Sequence, residues 1–331
     1  MRETGGMISR CACLVALGLS LLVPLQAQIK IHLIGTGGPE LTPERSGAST
    51  LIETPAGLFL FDAGRGALDG IYKSRVRPQD VTRVFLTHLH NDHIEGLPTL
   101  WLTPWFLVGR QTPLEVWGPP GTAAMIDGMR RMYAHDLQNR PNAVLKREYL
   151  DIAVHEIPGP NSPAVIYNVS GVKVTAFTVE HADGNPTFGY RIDAAGRSVL
   201  LTGDTTYRDN IAMLAKGVDV LISNVAAATP ELEKTAALAP ILGKLMRPEQ
   251  AASLFRAAAP RMAVYSHVVK KHLPGAQGDQ VVLNRTRGAG YSGPLIMGLD
   301  GMTLVIGSSI EVVAPSNPAG LPDFDWPDAK F

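Results

Sequence analysis

The stretch Thr87-His88-Leu89-His90-Asn91-Asp92-His93 closes an apolar run that begins at Val84, and its reading decides the fold. In extended backbone, side chains alternate between faces, so His88 and His90 point the same way and can grip one metal ion. Asp92 and His93 follow at once. The polar Asn91-Asp92 pair favours a turn, which swings those two side chains toward a second ion beside the first. The apolar segment 94–107 then reads as a helix leaving the site. A histidine cluster on a solvated turn is the plainer reading. It is opposed by the mutual repulsion of four crowded ligand-type side chains, which are awkward to protonate together unless metal displaces the protons.

Working outward, 331 residues hold one large or two small domains, and an apolar fraction of 45% is ample for a packed core. With 30 basic and 30 acidic side chains, bulk charge gives no sign of a nucleic-acid binder. At the N-terminus, Arg2 and Arg10 precede the apolar run 11–25, and Leu25-Gln26-Ala27 places a small residue before a cut at Gln28. Residues 1–27 therefore read as a signal peptide, with a retained membrane anchor as the alternative. The expected product is secreted or periplasmic, with no stable membrane anchor after processing. Both cysteines, Cys11 and Cys13, lie in that segment. The mature chain then has no thiol, and any metal must be held by His, Asp or Glu.

In chain order, residues 29–34, 49–53 and 57–61 read as short strands broken by Gly-rich turns, the opening of an antiparallel sheet. Asp62, at the end of the third, is a candidate for orienting an imidazole from behind, or a simple turn former. After the histidine cluster come a strand at 113–117, an amphipathic helix at 122–133, an irregular Pro-rich stretch at 138–168 and a strand at 172–179 that ends before His181. Strands at 188–192 and 197–201 lead into Thr202-Gly203-Asp204-Thr205, followed by a helix at 207–216 and a strand at 218–223. Helices at 231–245 and 248–259 precede a strand at 262–266 that closes on His267. Strands at 294–297, 302–306 and 310–313 would complete a second sheet, making 28–313 one domain and 314–331 a Pro-rich tail.

The His-x-His-x-Asp-His motif after an apolar strand resembles the signature of the metallo-β-lactamase superfamily. His181, Gly189-Tyr190, Gly203-Asp204-Thr205 and Ser266-His267 resemble the later motifs of its branch with ribonuclease Z and the zinc-dependent alkyl and aryl sulfatases, over residues 29–313. The resemblance implies an α/β fold, a four-layer αββα sandwich. It implies that His88, His90 and His181 hold a first metal, that Asp92, His93 and His267 hold a second, and that Asp204 bridges them. Two zinc ions suit five imidazoles and two carboxylates, with manganese or iron as alternatives. The implied chemistry is ester hydrolysis by a hydroxide shared between the metals, with Asp92 as a proton shuttle. Ribonuclease Z has a glutamate just after the strand matching 218–223 and a histidine just before the helix matching 248–259. Here Asn224 and the apolar Leu245 and Met246 stand there, which favours activated esters over RNA.

Other side chains read two ways. Arg65, Arg45 and Lys270-Lys271-His272 either attract an anionic substrate or are ordinary solvated charge. Trp101, Trp105, Phe106, Tyr133 and His135 either line a substrate pocket over the metals or belong to the core. His32, in a strand, and His155, in a loop, read as structural. The leading expectation is an exported dinuclear hydrolase of small-molecule esters, arylsulfatase-like or phosphodiesterase-like, with nucleic acid not expected as a partner and a homodimer left open. The alternatives are a ribonuclease Z-like phosphodiesterase that processes tRNA 3′ ends, and a metal-binding protein without turnover.

Overall fold

The computed structural model describes residues 28–159, 163–184 and 186–315, so the expected signal peptide and nearly all of the expected tail lie outside the described residues. Six strands open the chain: β1 (Ile29–Gly35), β2 (Ser49–Thr54), β3 (Gly57–Phe61), β4 (Arg83–Phe85), β5 (Leu114–Gly118) and β6 (Ile152–Glu156). Seven follow: β7 (Ala164–Val169), β8 (Val172–Val179), β9 (Thr187–Ala194), β10 (Arg197–Leu201), β11 (Val220–Ala228), β12 (Met262–Lys271) and β13 (Leu295–Met297). These seven form one sheet, in the order β13-β12-β11-β10-β9-β8-β7. The last two, β14 (Thr303–Ile306) and β15 (Ile310–Val313), return to the other sheet, ordered β15-β14-β1-β2-β3-β4-β5-β6.

The period of two along each strand builds the layers. Phe59 and Phe61 of β3 meet Phe85, Tyr190, Ile192, Ile222 and Val264 between the sheets. Leu60 of β3 and Val84 of β4 point the other way, into a second core. That outer core is covered by helices of the first half, α1 (Ala67–Lys73), α2 (Asn91–Ile94), α3 (Leu97–Val108), α4 (Thr122–Met132) and α5 (Ala134–Asn139). The later helices are α6 (Asp209–Leu214), α7 (Pro230–Glu233), α8 (Ala239–Leu242), α9 (Pro248–Ala258) and α10 (Gly275–Gly288). Of these, α6, α9 and α10 cover the outer face of the second sheet, where Leu221 and Tyr265 point. Strands buried on both faces read as continuous apolar runs, and the four αββα layers are those expected.

Four expectations are corrected. The helix at 94–107 is two helices, because Gly96 sits where a Cβ would come within 2.2 Å of the Gly64 carbonyl, while a Cβ on Gly64 would meet the Asp92 carbonyl at 2.2 Å. Only glycine permits that backbone contact, which locks the turn after β3 onto α2. The stretch 138–168 holds β6 and β7 at sheet edges. His155 is therefore in a strand rather than a loop, stacked on Trp117 with ring centroids 4.5 Å apart. The strands at 302–306 and 310–313 join the first sheet through antiparallel pairing of β14 with β1, Ile31 opposite Leu304, and only β13 extends the second. The helix at 231–245 is split into α7 and α8, and α10 was not anticipated.

Inside α3, Pro104 has no N–H to give the Leu100 carbonyl, and the buried Arg110 donates to that carbonyl instead, Nη1 to O at 3.1 Å. Among the described residues no helix is long and apolar enough to cross a membrane.

Candidate metal centre

Strand ends deliver the site. Asp62 follows β3, His88 to His93 run from the end of β4 into α2, His181 follows β8 and Asp204 follows β10. His267 is different, since β12 does not stop before it. Ser223 pairs with Tyr265 and Val225 with Val268, so β12 carries an extra residue opposite Asn224. Such a bulge re-aims a side chain, and His267 adopts a left-handed φ of 48°. Asp62 is also left-handed, at 59°. Each such residue costs about 1–2 kcal/mol, a strain that persists where the surrounding contacts over-determine it.

The seven side chains expected to bind metal converge. His88, His90 and His181 form one group, Asp92, His93 and His267 another, and Asp204 joins His88 and His93 in a third. His88 Nε2 lies 2.9 Å and His181 Nε2 3.3 Å from His90 Nδ1. In the second group His267 Nε2 is 3.1 Å from Asp92 Oδ2, and His93 Nε2 is 3.6 Å from the same oxygen. Asp204 Oδ2 stands between, 3.2 Å from His267, 3.7 Å from His93 and 3.8 Å from His181, each at Nε2.

Two observations test whether metal fits. His93 Nε2 and Asp204 Oδ1 are buried without a hydrogen-bond partner, a cost of about 1–3 kcal/mol each unless something binds them. The spacings also suit. Two nitrogens at about 2.0–2.1 Å on one tetrahedral zinc stand about 3.3 Å apart, close to the separations within the first group. The residues therefore fit a pair of zinc-like ions.

Proton bookkeeping sets the tautomers. Asp62 is acceptor-only, taking the Thr87 amide on Oδ1 at 2.8 Å and His93 Nδ1–H on Oδ2 at 2.8 Å. The single Thr87 hydroxyl proton goes to Asp62 Oδ2 at 2.9 Å, so that hydroxyl must accept from His88 Nδ1, also at 2.9 Å. His181 Nδ1 donates to the Lys244 carbonyl at 3.2 Å. Three imidazoles thus have Nδ1 committed to an acceptor, which leaves Nε2 as the atom facing the centre and available to a metal. Thr87 was quoted in the motif without a role. The parallel pairing of Phe61 with Phe85 places it beside Asp62, a fact no local pattern carries.

Charge follows burial and neighbours. Burial, with the neighbouring His93 ring, holds the His88 pKa well below the ordinary histidine value, and burial also lowers His181. For His93 burial opposes protonation, but Asp62 and Asp204 outweigh it and raise the pKa well above the ordinary value. For Asp204 burial favours the neutral acid and is overcome by His267 and His93, which hold the carboxyl far below its usual range.

The remaining candidates fall outside the centre or serve the scaffold. Asn224 donates to the Gly203 carbonyl at 2.7 Å and the Thr205 carbonyl at 3.1 Å, and accepts from the Met246 amide at 2.7 Å. It clamps the turn carrying Asp204. Arg45 is buried on Asp279 at 3.0 Å, and Lys270 is held by the same carboxylate at 2.5 Å. Both expected anion binders are therefore engaged by one shared carboxylate, which leaves the trio with a single net positive charge. Arg65 is half-buried, 4.0 Å from Glu95. Trp101 and Trp105 are buried in the outer core with Tyr133 packed beside them, so the aromatic pocket gives way to the core reading. Phe106 lies under the Arg140 guanidinium, and His135 is exposed on α5. His32 is buried between Thr303 and Glu53, the structural role expected.

Comparison with known proteins agrees with this geometry. Residues 58–268 match the family model described as a beta-lactamase superfamily domain. Ribonuclease Z of Mycobacterium bovis is 37% identical over 201 residues, 60% of this chain and 70% of its own length. Ribonuclease Z of Mycobacterium sp. strain KMS is 30% identical over 257 residues, 76% of this chain and 88% of its own. Among solved structures, the short form of human tRNase Z superposes with a TM-score of 0.64 at 21% identity, covering 84% of this chain and 98% of that one. The metallo-β-lactamase fold protein YhfI of Bacillus subtilis gives 0.65 at 16% identity, with 84% and 99% covered. The chain belongs to the β-lactamase superfamily of metallo-hydrolases, in its ribonuclease Z branch.

Proposed function

We propose that the chain hydrolyses phosphodiester bonds with two divalent ions, zinc on donor type, held by His88, His90 and His181 on one side and by Asp92, His93 and His267 on the other, with Asp204 between. The observation that carries this reading is the convergence of seven side chains, three of whose imidazoles have Nδ1 held by an acceptor away from the common point. Of the two esters that the sequence left together, sulfate ester and phosphodiester, the relatives called ribonuclease Z support the phosphodiester. They also make RNA a substrate to test, against the expectation drawn from bulk charge.

When bound, the ions supply paired Lewis acids that acidify water and take up charge on phosphate oxygens. The protein's part is to prepare and hold that arrangement. Asp62 and Thr87 fix the His93 and His88 rings, Asn224 fixes the turn of Asp204, and burial of His88, Asp92, His93 and Asp204 keeps bulk water from competing. Asp92, whose Oδ2 faces His267 Nε2 and His93 Nε2, has its second carboxylate oxygen left to take up and return a proton. The Asn224 amide is spent on backbone carbonyls and gives no acid to a leaving group, so leaving groups that depart as weak bases are cleaved fastest. Export directed by residues 1–27 belongs to the same proposal, and the N-terminal residue of protein from the exporting cell tests it.

The deciding assay compares bis(4-nitrophenyl) phosphate, 4-nitrophenyl sulfate and a 3′-extended tRNA with metal-loaded and metal-stripped protein. The expected result is metal-dependent turnover of the phosphate diester and none of the sulfate. Two bound ions without turnover on any would instead leave a metal-binding protein, the second alternative.

A further inference from the structure

Beside the metal centre lies a cavity of about 570 Å³ between the 40–45 loop and the segment 268–276. It adjoins the His267 side of the centre. Val268, on its wall, is the residue after His267, and Gly38 is flanked by His267 and by Glu40, which is also on the wall. A Cβ built on Gly38 would sit 3.2 Å from His267 Cε1 and 3.4 Å from Glu40 Oε2.

Much of the wall is apolar. Leu41, Pro43, Val268, Leu273, Pro274 and Leu299 line it. Its two strong cations, Arg45 and Lys270, are both bound to Asp279, itself on the wall. Glu40 pairs with Lys271. Glu44, exposed at the rim, has no ion-pair partner among the described residues, and its charge is negative. A polynucleotide needs free cations for its phosphates and aromatic faces for its bases. Besides Arg45 and Lys270, already bound to Asp279, the wall's one basic side chain is the exposed His272 imidazole. That is a single ring where a polynucleotide needs several cations and stacking faces, and the wall has no phenylalanine, tyrosine or tryptophan.

We propose that this cavity receives an uncharged apolar group attached to the scissile phosphate, so that the substrate class is a small phosphodiester bearing an alkyl or aryl substituent. The proposal rests on the phosphodiesterase reading above. The cavity is in the size range of small-molecule sites, and filling it draws on the hydrophobic effect alone, so selectivity climbs with the length of the substituent.

The test is a series of alkyl 4-nitrophenyl phosphates, methyl to hexyl, in which the leaving group and its chemistry stay constant. With zinc-loaded protein, kcat/KM is expected to rise about three- to fourfold per methylene over the first few carbons. The hexyl-to-methyl ratio should collapse in Leu299→Glu and Leu41→Glu, whose side chains are 40% and 83% exposed and tolerate a charge without unfolding. It should hold in Met213→Glu, an exposed position on α6. Calorimetry gives a second readout. Hexyl methyl phosphate should bind more tightly than dimethyl phosphate, with a negative heat-capacity change.

A methyl ester that is cleaved with a flat chain-length series overturns the cavity proposal and leaves the phosphodiesterase reading standing. The cavity proposal also falls if the ratio survives in Leu299→Glu, or if a 3′-extended tRNA exceeds the hexyl ester in kcat/KM. No cleavage of any diester by protein carrying two ions overturns both.

Discussion

Asp62→Asn should disable one half of the metal centre and spare the other. In the native carboxylate, His93 Nδ1–H, the Thr87 amide and the Thr87 hydroxyl converge on two oxygens at 2.8, 2.8 and 2.9 Å. Asparagine keeps the shape but has one acceptor. The Thr87 amide proton cannot move, so the asparagine oxygen serves it, and the amide nitrogen is left facing His93 Nδ1. Two donors cannot share that contact, so the imidazole proton moves to Nε2, the atom that lies 3.6 Å from Asp92 and 3.7 Å from Asp204. A protonated Nε2 cannot ligate. A hydrogen bond to a charged acceptor is worth about 1.5–3 kcal/mol, and loss of such a supporting partner weakens metal binding about 10–100-fold. The loss should fall on the group Asp92, His93 and His267. Chelator competition, with one zinc titrated at a time, reads the two affinities, and ¹⁵N NMR of the imidazoles reads the tautomer. Thr87→Val is the mirror experiment, since it removes the acceptor for His88 Nδ1–H and should weaken the group with His90 and His181. Equal affinities in Asp62→Asn and wild type, with His93 still protonated at Nδ1, would refute the proton bookkeeping.

Gly184→Ala places a Cβ 2.5 Å from His181 Cδ2 and 2.9 Å from His88 Cδ2. Zinc content should fall toward one ion per chain at limiting free zinc, and two tightly held ions would show that the loop yields. Zinc affinity should rise with pH above about 6.5, because His93 and His267 carry raised pKa values in the metal-free protein and zinc must displace their protons. The sign for stability is opposite in the metal-free form. A raised folded pKa adds stability that is complete below the unfolded value and fades as pH climbs through the folded one. The gap in melting temperature between zinc-loaded and metal-free protein should therefore widen from pH 6 to pH 9, and a constant gap would count against it. Arg110→Met should cost about 1–3 kcal/mol in urea unfolding by leaving the Leu100 carbonyl unpaired. Adding Pro104→Ala restores a backbone donor, so the double variant should recover most of that loss, whereas strict additivity would exclude the pairing.

What could be read from the sequence was what is local. His88, His90, Asp92 and His93 are close in the chain, so a few residues of extended backbone and one turn suffice to bring them together, and the sandwich followed from the family resemblance that this motif carries. Pairing between distant segments was not legible. β14 looks like any short strand, and nothing in its residues says that it lies against β1 rather than β13. β7 was missed because an edge strand with Val165 and Val169 exposed has no clean alternation. α10 was missed because glycine opens and closes it and few of its side chains are buried, among them Val282.

The same limit governs the charges. Arg45 and Lys270 were legible as cations near a ligand histidine, yet whether a cation attracts substrate depends on what already holds it. Asp279 is far from Arg45 in sequence and holds both. Thr87 makes the point within the site itself. Its hydroxyl has one proton, and only the parallel pairing of β3 with β4 fixes where that proton goes. Once it goes to Asp62, the proton on His88 Nδ1 and the lone pair on Nε2 follow. The ligand types were therefore written in the motif, but their readiness to bind metal is set by a carboxylate on a neighbouring strand.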